Sequence, residues 1–218
     1  MITNQDSDTP AIIPHPFRGD TFLLRTVQQL MRAGQISTFV ETGAFHGITT
    51  AAVARLYPEV HCYSCEINPA HYRHAAAKVA GLPNVTLTEE GSPELLARLT
   101  QQACAEPTLF WLDAHGYGFP WPLREEVRTI AARWERAWVV IDDFLVPGRP
   151  WFGYDAYDGQ ECSYEAIRGE LGGRPHRLWY PTYRPPVEWP LRGWGVLALG
   201  DLDWTPDPWL ESAEEVGR

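Results

Sequence analysis

A chain of 218 residues with 44% hydrophobic and 21% charged side chains is long enough to bury one sizeable core. Its net charge of −10 and pI near 5.1 argue against nonspecific binding to nucleic acid or to an anionic membrane, since both need a basic face. No apolar run approaches the roughly 20 residues that span a bilayer, and the first residues lack the basic-then-apolar order of a secretory signal. Four cysteines (Cys62, Cys65, Cys104, Cys162) form no evident disulfide framework, so the expectation is a cytoplasmic protein with reduced thiols.

In chain order, residues 1–16 read as a flexible lead and "FRGDTFLLRTVQQLMRAG", 17–34, as a helix ending at Gly34. Short β-rich runs then alternate with amphipathic stretches. The candidate strands are "TFVETG", "VHCYSCEI", "VTLTEE", "TLFWLDAH" and "AWVVIDDF". Between them "GITTAAVARLY", "PAHYRHAAAKVAG", "SPELLARLTQQ" and "PLREEVRTIAARWER" carry apolar residues at helical spacing. Alternating β and α with near-continuous apolar strands predicts a doubly wound, mostly parallel sheet with helices on both faces. Later, "HRLWYPT" and "GWGVLALG" follow one another without a helix, which predicts an antiparallel edge hairpin and seven strands in all. One domain is expected over 17–218, with its core at 36–200 and a tail at 201–218.

Ligands of an open α/β sheet bind beyond the carboxyl ends of its strands. Here those ends are acidic: Glu41, Glu66, Glu90, Asp113 and the adjacent Asp142 and Asp143. Like charges side by side oppose one another, so the pair in "VVIDDF" asks for something positive nearby. In "ETGAFHGITT", Gly43 and Gly47 allow a tight turn, but Glu41 beside it would repel a pyrophosphate. Glu66, 25 residues on, stands where an acid accepts from ribose hydroxyls. A cationic nucleoside suits this arrangement better than NAD. Cys62, Cys65, His71 and His74 imitate a zinc motif, yet two strand residues three apart point to opposite faces.

With "VETGAFHGITT", "SCEIN", "EEGSP", "LDAH" and "VVIDDF" in this order, the chain resembles class I S-adenosylmethionine-dependent methyltransferases over residues 36–200. Phe45 replaces the middle glycine of the usual first loop, as in the metal-dependent catechol-type and macrolide-sugar-type O-methyltransferases. The resemblance implies a Rossmann-like fold. It also implies a cofactor site of Glu41, Thr42, Gly43, Gly47, Thr49, Glu66, Ile67, Gly91, Ser92 and Asp113. In those subgroups a divalent ion sits on acids after the fourth and fifth strands, which carries over to Asp113, Asp142 and Asp143 with Mg²⁺ or a similar cation. Asp113 and Asp142 then become catalytic through that ion, and His115 is the candidate general base or a further contact to the substrate. Tyr154, Asp155 and Tyr157 are expected to meet the substrate. The reading is O-methylation of a small-molecule hydroxyl, on a secondary metabolite or sugar, with no nucleic acid or membrane partner. Metal-free N- or C-methyl transfer and a non-catalytic cofactor-binding protein remain the alternatives.

Overall fold

The computed structural model describes residues 15–101, 106–115, 118–184 and 191–213. Cys104, the stretch 185–190 and the two chain ends lie outside them. Every apolar run that reads as a strand contains one. β1 (Thr38–Thr42), β2 (His61–Cys65), β3 (Val85–Thr88), β4 (Thr108–Leu112) and β5 (Ala137–Asp142) pair in parallel, in spatial order 3-2-1-4-5. β4 and β5 are buried at every position, which is why their sequences run apolar without alternating.

Helices fill the crossovers: α2 (Ile48–Leu56), α3 (Pro69–Val79), α4 (Ser92–Leu99) and α5 (Leu123–Arg133). Asn68 caps α3 by accepting from the Ala70 N–H, and Pro69 occupies the first turn. Neighbouring strand residues fall into opposite cores, as a period of two requires. Val40, Phe110 and Val139 join the layer under α4 and α5, whereas Phe39, Leu109 and Val140 join the layer under α1 and α2. Cys62 and Cys65 likewise part to opposite faces, which dismantles the zinc lookalike.

The N-terminal helix differs from its expected bounds. α1 covers Thr21–Ala33, because the Asp20 carboxylate accepts from the N–H groups of Phe22 and Leu23 and caps the helix there. Pro16–Gly19 form a separate tight turn in which Phe17 and Arg18 both take left-handed φ, 51° and 54°. Such a conformation costs a side-chain-bearing residue about 1–3 kcal/mol, so the surroundings must hold it.

The sheet has eight strands among the described residues, one more than expected. β11 (Trp194–Leu199) runs antiparallel to β5 and β9 (His176–Pro181) antiparallel to β11, forming the hairpin. The extra strand is β12 (Leu210–Ser212), which pairs with β9. Three residues after "WTPDP" are too few for a legible pattern. Asp207 anchors the segment by accepting from Thr26 and Gln29 of α1. Beyond β5, β6 (Phe152–Gly153) pairs with β10 (Leu191–Arg192). β7 (Ala156–Tyr157) and β8 (Gln160–Glu161) form a hairpin turned by Asp158 and Gly159 at positive φ. α6 (Tyr164–Ile167) follows. Among the described residues no helix is long and apolar enough to cross a membrane.

Candidate active site

The carboxyl ends of β1 to β5 open into a cavity of about 1030 Å³. Glu41, near the end of β1, is buried and accepts hydrogen bonds from Thr50 of α2 and, at 3.2 Å, from Ser64 of β2. Burial pushes its carboxyl up to about 8, against the pull of Thr50 and with a further push from Asp113. A buried carboxyl in that state ionises when a cation arrives beside it. Gly43 follows at φ 79°, where a Cβ would lie 2.5 Å from the Asp113 carbonyl oxygen. Two of the expected cofactor residues, Thr42 and Gly47, do not line the cavity and brace the loop. Thr42 is fully buried and its Oγ1 accepts the Asp113 N–H at 3.3 Å, while Gly47 lets α2 approach Ala75 of α3. Thr49 does line the cavity, and it accepts the Phe17 N–H at 3.3 Å.

At the end of β2, Glu66 accepts from the N–H groups of Phe45 at 2.7 Å and Asn68 at 2.8 Å, one on each oxygen. The carboxylate is therefore fixed, and each oxygen keeps a second lone pair for a hydroxyl donor. Ile67 beside it is 45% exposed, an apolar surface left uncovered. Gly91 and Ser92, at the start of α4, line the same cavity. Ser92 Oγ is buried without a partner among the described residues.

The ends of β4 and β5 bring Asp113, His115 and Asp143 together, with one donor atom from each lying within 4.8 Å of the others. His115 Nε2 hydrogen-bonds Asp143 and stands 3.5 Å from Asp113 and 3.7 Å from Asp155. Burial works against its charge, but the hydrogen bond to Asp143 and the charges of Asp113 and Asp143 outweigh it and raise its pKa. Asp113 faces the cavity with 29% of its side chain exposed, yet desolvation by the walls raises its pKa. Asp143 stands at φ 52°, off the strand; although burial opposes its charge, His115 and the arginines hold it well below the usual carboxylate range.

Asp142 does not join this group. Its carboxylate turns to Arg18, and its carbonyl accepts from Cys162 Sγ at 3.7 Å. Asp113, Asp142 and Asp143 are thus not the set that converges, because successive strand residues diverge and only Asp143 swings round. Arg18 contacts Asp143 as well, at 2.8 Å, and Arg192 spans Asp143 and Asp155. Beneath them, Glu126 of α5 is buried with Oε1 unpartnered among the described residues. Burial pushes its carboxyl up to about 7, and Ser92 and Thr42 ease this without supplying a bond to that oxygen.

No protein-family model matches the chain, and no curated protein does. Solved structures do. The O-methyltransferase TomG from Streptomyces achromogenes, involved in tomaymycin synthesis and solved with SAM, aligns at a TM-score of 0.58 and 20% identity, covering 79% of this chain and 77% of that one. A candidate O-methyltransferase from Klebsiella pneumoniae gives 0.57 and 19% over the same shares. An rRNA methylase from Streptococcus thermophilus gives 0.52 and 15%, over 82% of this chain and 96% of that one. The fold is that of the class I methyltransferases.

This methyltransferase fold hosts O-methyltransferases and an rRNA methylase alike, so the acceptor has to be argued from the site. Phe119, Trp121, Asp155 and Tyr157 line the cavity too, and the Tyr157 ring lies beside those of His115 and Trp121. Tyr157 donates its hydroxyl to Asp155 at 2.7 Å. Tyr154, by contrast, is 38% exposed and donates to Glu161 instead of facing the cavity. Sequence reasoning missed Arg18, Arg192, Trp121 and Glu126. Arg18 meets Asp142 across 124 positions and carries no local signal.

Proposed function

We propose that the chain is a cytoplasmic S-adenosylmethionine-dependent methyltransferase acting on a hydroxyl of a small molecule. One observation supports the reading: a single cavity is lined by Glu41, Glu66 and His115 together. Glu41 suits the cofactor's ammonium, because a cation restores the charge that burial suppresses. Glu66 presents two fixed oxygens to ribose hydroxyls, and Ile67 with Gly91 and Ser92 offers a slot for adenine. When bound, the cofactor supplies an electrophilic methyl: the acceptor oxygen forms the new C–O bond as the C–S bond breaks and its electrons return to sulfur.

His115, once neutral, takes the proton that the hydroxyl gives up, and Asp143 holds the ring and stabilises the resulting imidazolium. Phe119, Trp121 and Tyr157 exclude water around the acceptor. A net charge of −10 favours a small acceptor over a nucleic acid. For the expected divalent cation, Asp113, His115 and Asp143 would be the donors, two oxygens and one nitrogen of a type that Mg²⁺ or Mn²⁺ accepts. Both oxygens of Asp143 are already engaged, so the set does not fit a resident ion and no step is routed through one.

The reading is tested by calorimetric titration of S-adenosylhomocysteine into the protein, followed by labelled methyl transfer to a panel of hydroxyl and amine acceptors. Binding with label on oxygen is expected. No binding would sink the methyltransferase reading, and label only on nitrogen would overturn the acceptor assignment.

A further inference from the structure

Four aspartates crowd the ends of β4 and β5: Asp113, Asp142, Asp143 and Asp155. Asp142 and Asp143 are buried and the other two half-buried, and carboxylates at such spacing need positive charge or they do not stay ionised. The fold delivers two guanidiniums, and each comes by a built route.

Arg192 sits on β10, held against β6 by pairing with Gly153. The Gly193 N–H donates to the Gly153 carbonyl at 2.6 Å and keeps the two segments together. The Arg192 side chain passes over Gly153, where a Cβ would stand 3.3 Å from Nη1 and 3.6 Å from Cδ. A side chain on Gly193 would collide with the Phe144 carbonyl, so the backbone approaches closely on that side too.

Arg18 enters from the other direction, on the left-handed turn before α1. That turn is held by three ties. Phe17 buries its ring edge-on against Trp111, with centroids 5.2 Å apart, and donates its N–H to Thr49. Asp20 accepts from Tyr183. A strained backbone kept in place by this many contacts has something to deliver, and what it delivers is a guanidinium to Asp142 and Asp143.

Together the two arginines and His115 account for the four acids, with Asp113 Oδ1 3.5 Å from His115 Nε2. Asp143 Oδ1 meets Arg18 and Arg192, Asp143 Oδ2 meets His115, Asp142 Oδ2 meets Arg18, and Asp155 Oδ1 meets Arg192. We propose that in this chain Arg18 and Arg192 stand in for a divalent cation at the acidic strand ends, so that the site works without one. A guanidinium stays charged at every working pH and its forked donors span two carboxylates, whereas an ion would have to displace both arginines to reach Asp143 Oδ1, and the His115 hydrogen bond to reach Oδ2. The inference stands on the arginine geometry and does not depend on which group the protein methylates.

The test is Mn²⁺ binding by electron paramagnetic resonance, with thermal melts of the same samples in Mg²⁺ and in chelator. Wild type is expected to show no saturable Mn²⁺ site below the millimolar range and a Tm that ignores both additions. Arg192→Met should lower the Tm by several degrees, and adding Asp143→Asn should restore part of the loss, because the stranded charge goes with it. A micromolar Mn²⁺ site in wild type that Asp143→Asn abolishes would overturn the proposal, as would a chelator-induced fall in Tm. Wild type alone decides the matter if the variants do not fold. Adding S-adenosylhomocysteine to the same melts reads the methyltransferase assignment separately, since a missing ligand shift sinks that assignment and leaves the Mn²⁺ result to stand by itself.

Discussion

Gly43 and Asp113, at the ends of adjacent strands, are in backbone contact: a Cβ on Gly43 would lie 2.5 Å from the Asp113 carbonyl oxygen and 2.9 Å from Ala114 Cα. The glycine also stands at φ 79°, which an L side chain adopts only under strain. Gly43→Ala therefore forces β1 and β4 apart at the point where both carry site residues. The expected loss is about 2–4 kcal/mol of stability from the combined strain and overpacking. Affinity for S-adenosylhomocysteine should fall more than tenfold by calorimetry. Wild-type affinity in this variant would mean that the first loop is not part of the binding site.

As the proposed partner of the cofactor's ammonium, Glu41 would tie cofactor affinity to pH. The empty-site carboxyl, pushed up to about 8, is protonated at neutral pH, whereas a bound ammonium requires it ionised. Binding then releases a proton, and affinity rises by as much as tenfold per pH unit until it levels off above about pH 8. Titrations at pH 7 in buffers of different ionisation enthalpy should report close to one proton released. Glu41→Gln should flatten this dependence and weaken binding about 10–100-fold at pH 8.5, the worth of a hydrogen bond to a charged group. Affinity that ignores pH and buffer would remove Glu41 from the site.

The strands, the mostly parallel sheet with helices on both faces, and the gathering of Glu41, Glu66 and Asp113 at one cavity were legible because each rests on local pattern: apolar runs, glycines at a turn, acids at strand ends. Asp142 and Asp143 show where pattern stops. Period two says that neighbours diverge, but which one swings toward His115 depends on the backbone turning left-handed at Asp143. Arg18 and Arg192 come from far along the chain and had no signal at all. Glu126 did have one. Leu123, Glu126, Val127 and Ile130 are all buried, so "LREEVRTI" places an acid on the apolar stripe of α5. Had the stripe been counted residue by residue, the buried carboxyl would have stood out. β12 was invisible because three residues carry no period.

As the proposed base, His115 would set the pH at which transfer begins. Asp143 and Asp113 hold its pKa above the ordinary value of about 6.5, so the ring is protonated and unable to accept a proton until the pH passes that raised value. The rate should climb with pH, with its midpoint above 6.5, and Asp143→Asn should move the midpoint down. His115→Gln should cost about 10²–10⁴-fold in kcat, the usual worth of a general base. An NMR titration of the His115 ring in the empty protein checks the shift without any acceptor. A rate profile flat from pH 5.5 to 9, in a wild type whose His115 titrates within that range, would remove it from the proton transfer.

Glu126 and Glu41 give the empty protein an unusual stability profile. Their folded pKa values, about 7 and about 8, lie above an unfolded value near 4.5. The folded state therefore binds more protons than the unfolded one between those values. Stability is full below pH 4.5 and drains away as the pH rises through the folded pKa values. His115 adds to the same slope, since its raised pKa favours the folded state at low pH. Asp143 does not counter it in this window, because its depressed pKa contributes a constant amount once the unfolded carboxyl is ionised too. Melting temperature should fall from pH 5.5 to 8.5. Glu126→Gln removes one contributor worth about 3 kcal/mol at high pH, so the variant should match wild type near pH 5 and melt roughly 5–10 °C higher at pH 8.5. Equal slopes for the two proteins would show that Glu126 is not held as a neutral acid, and would point to a water or hydroxyl satisfying its free oxygen.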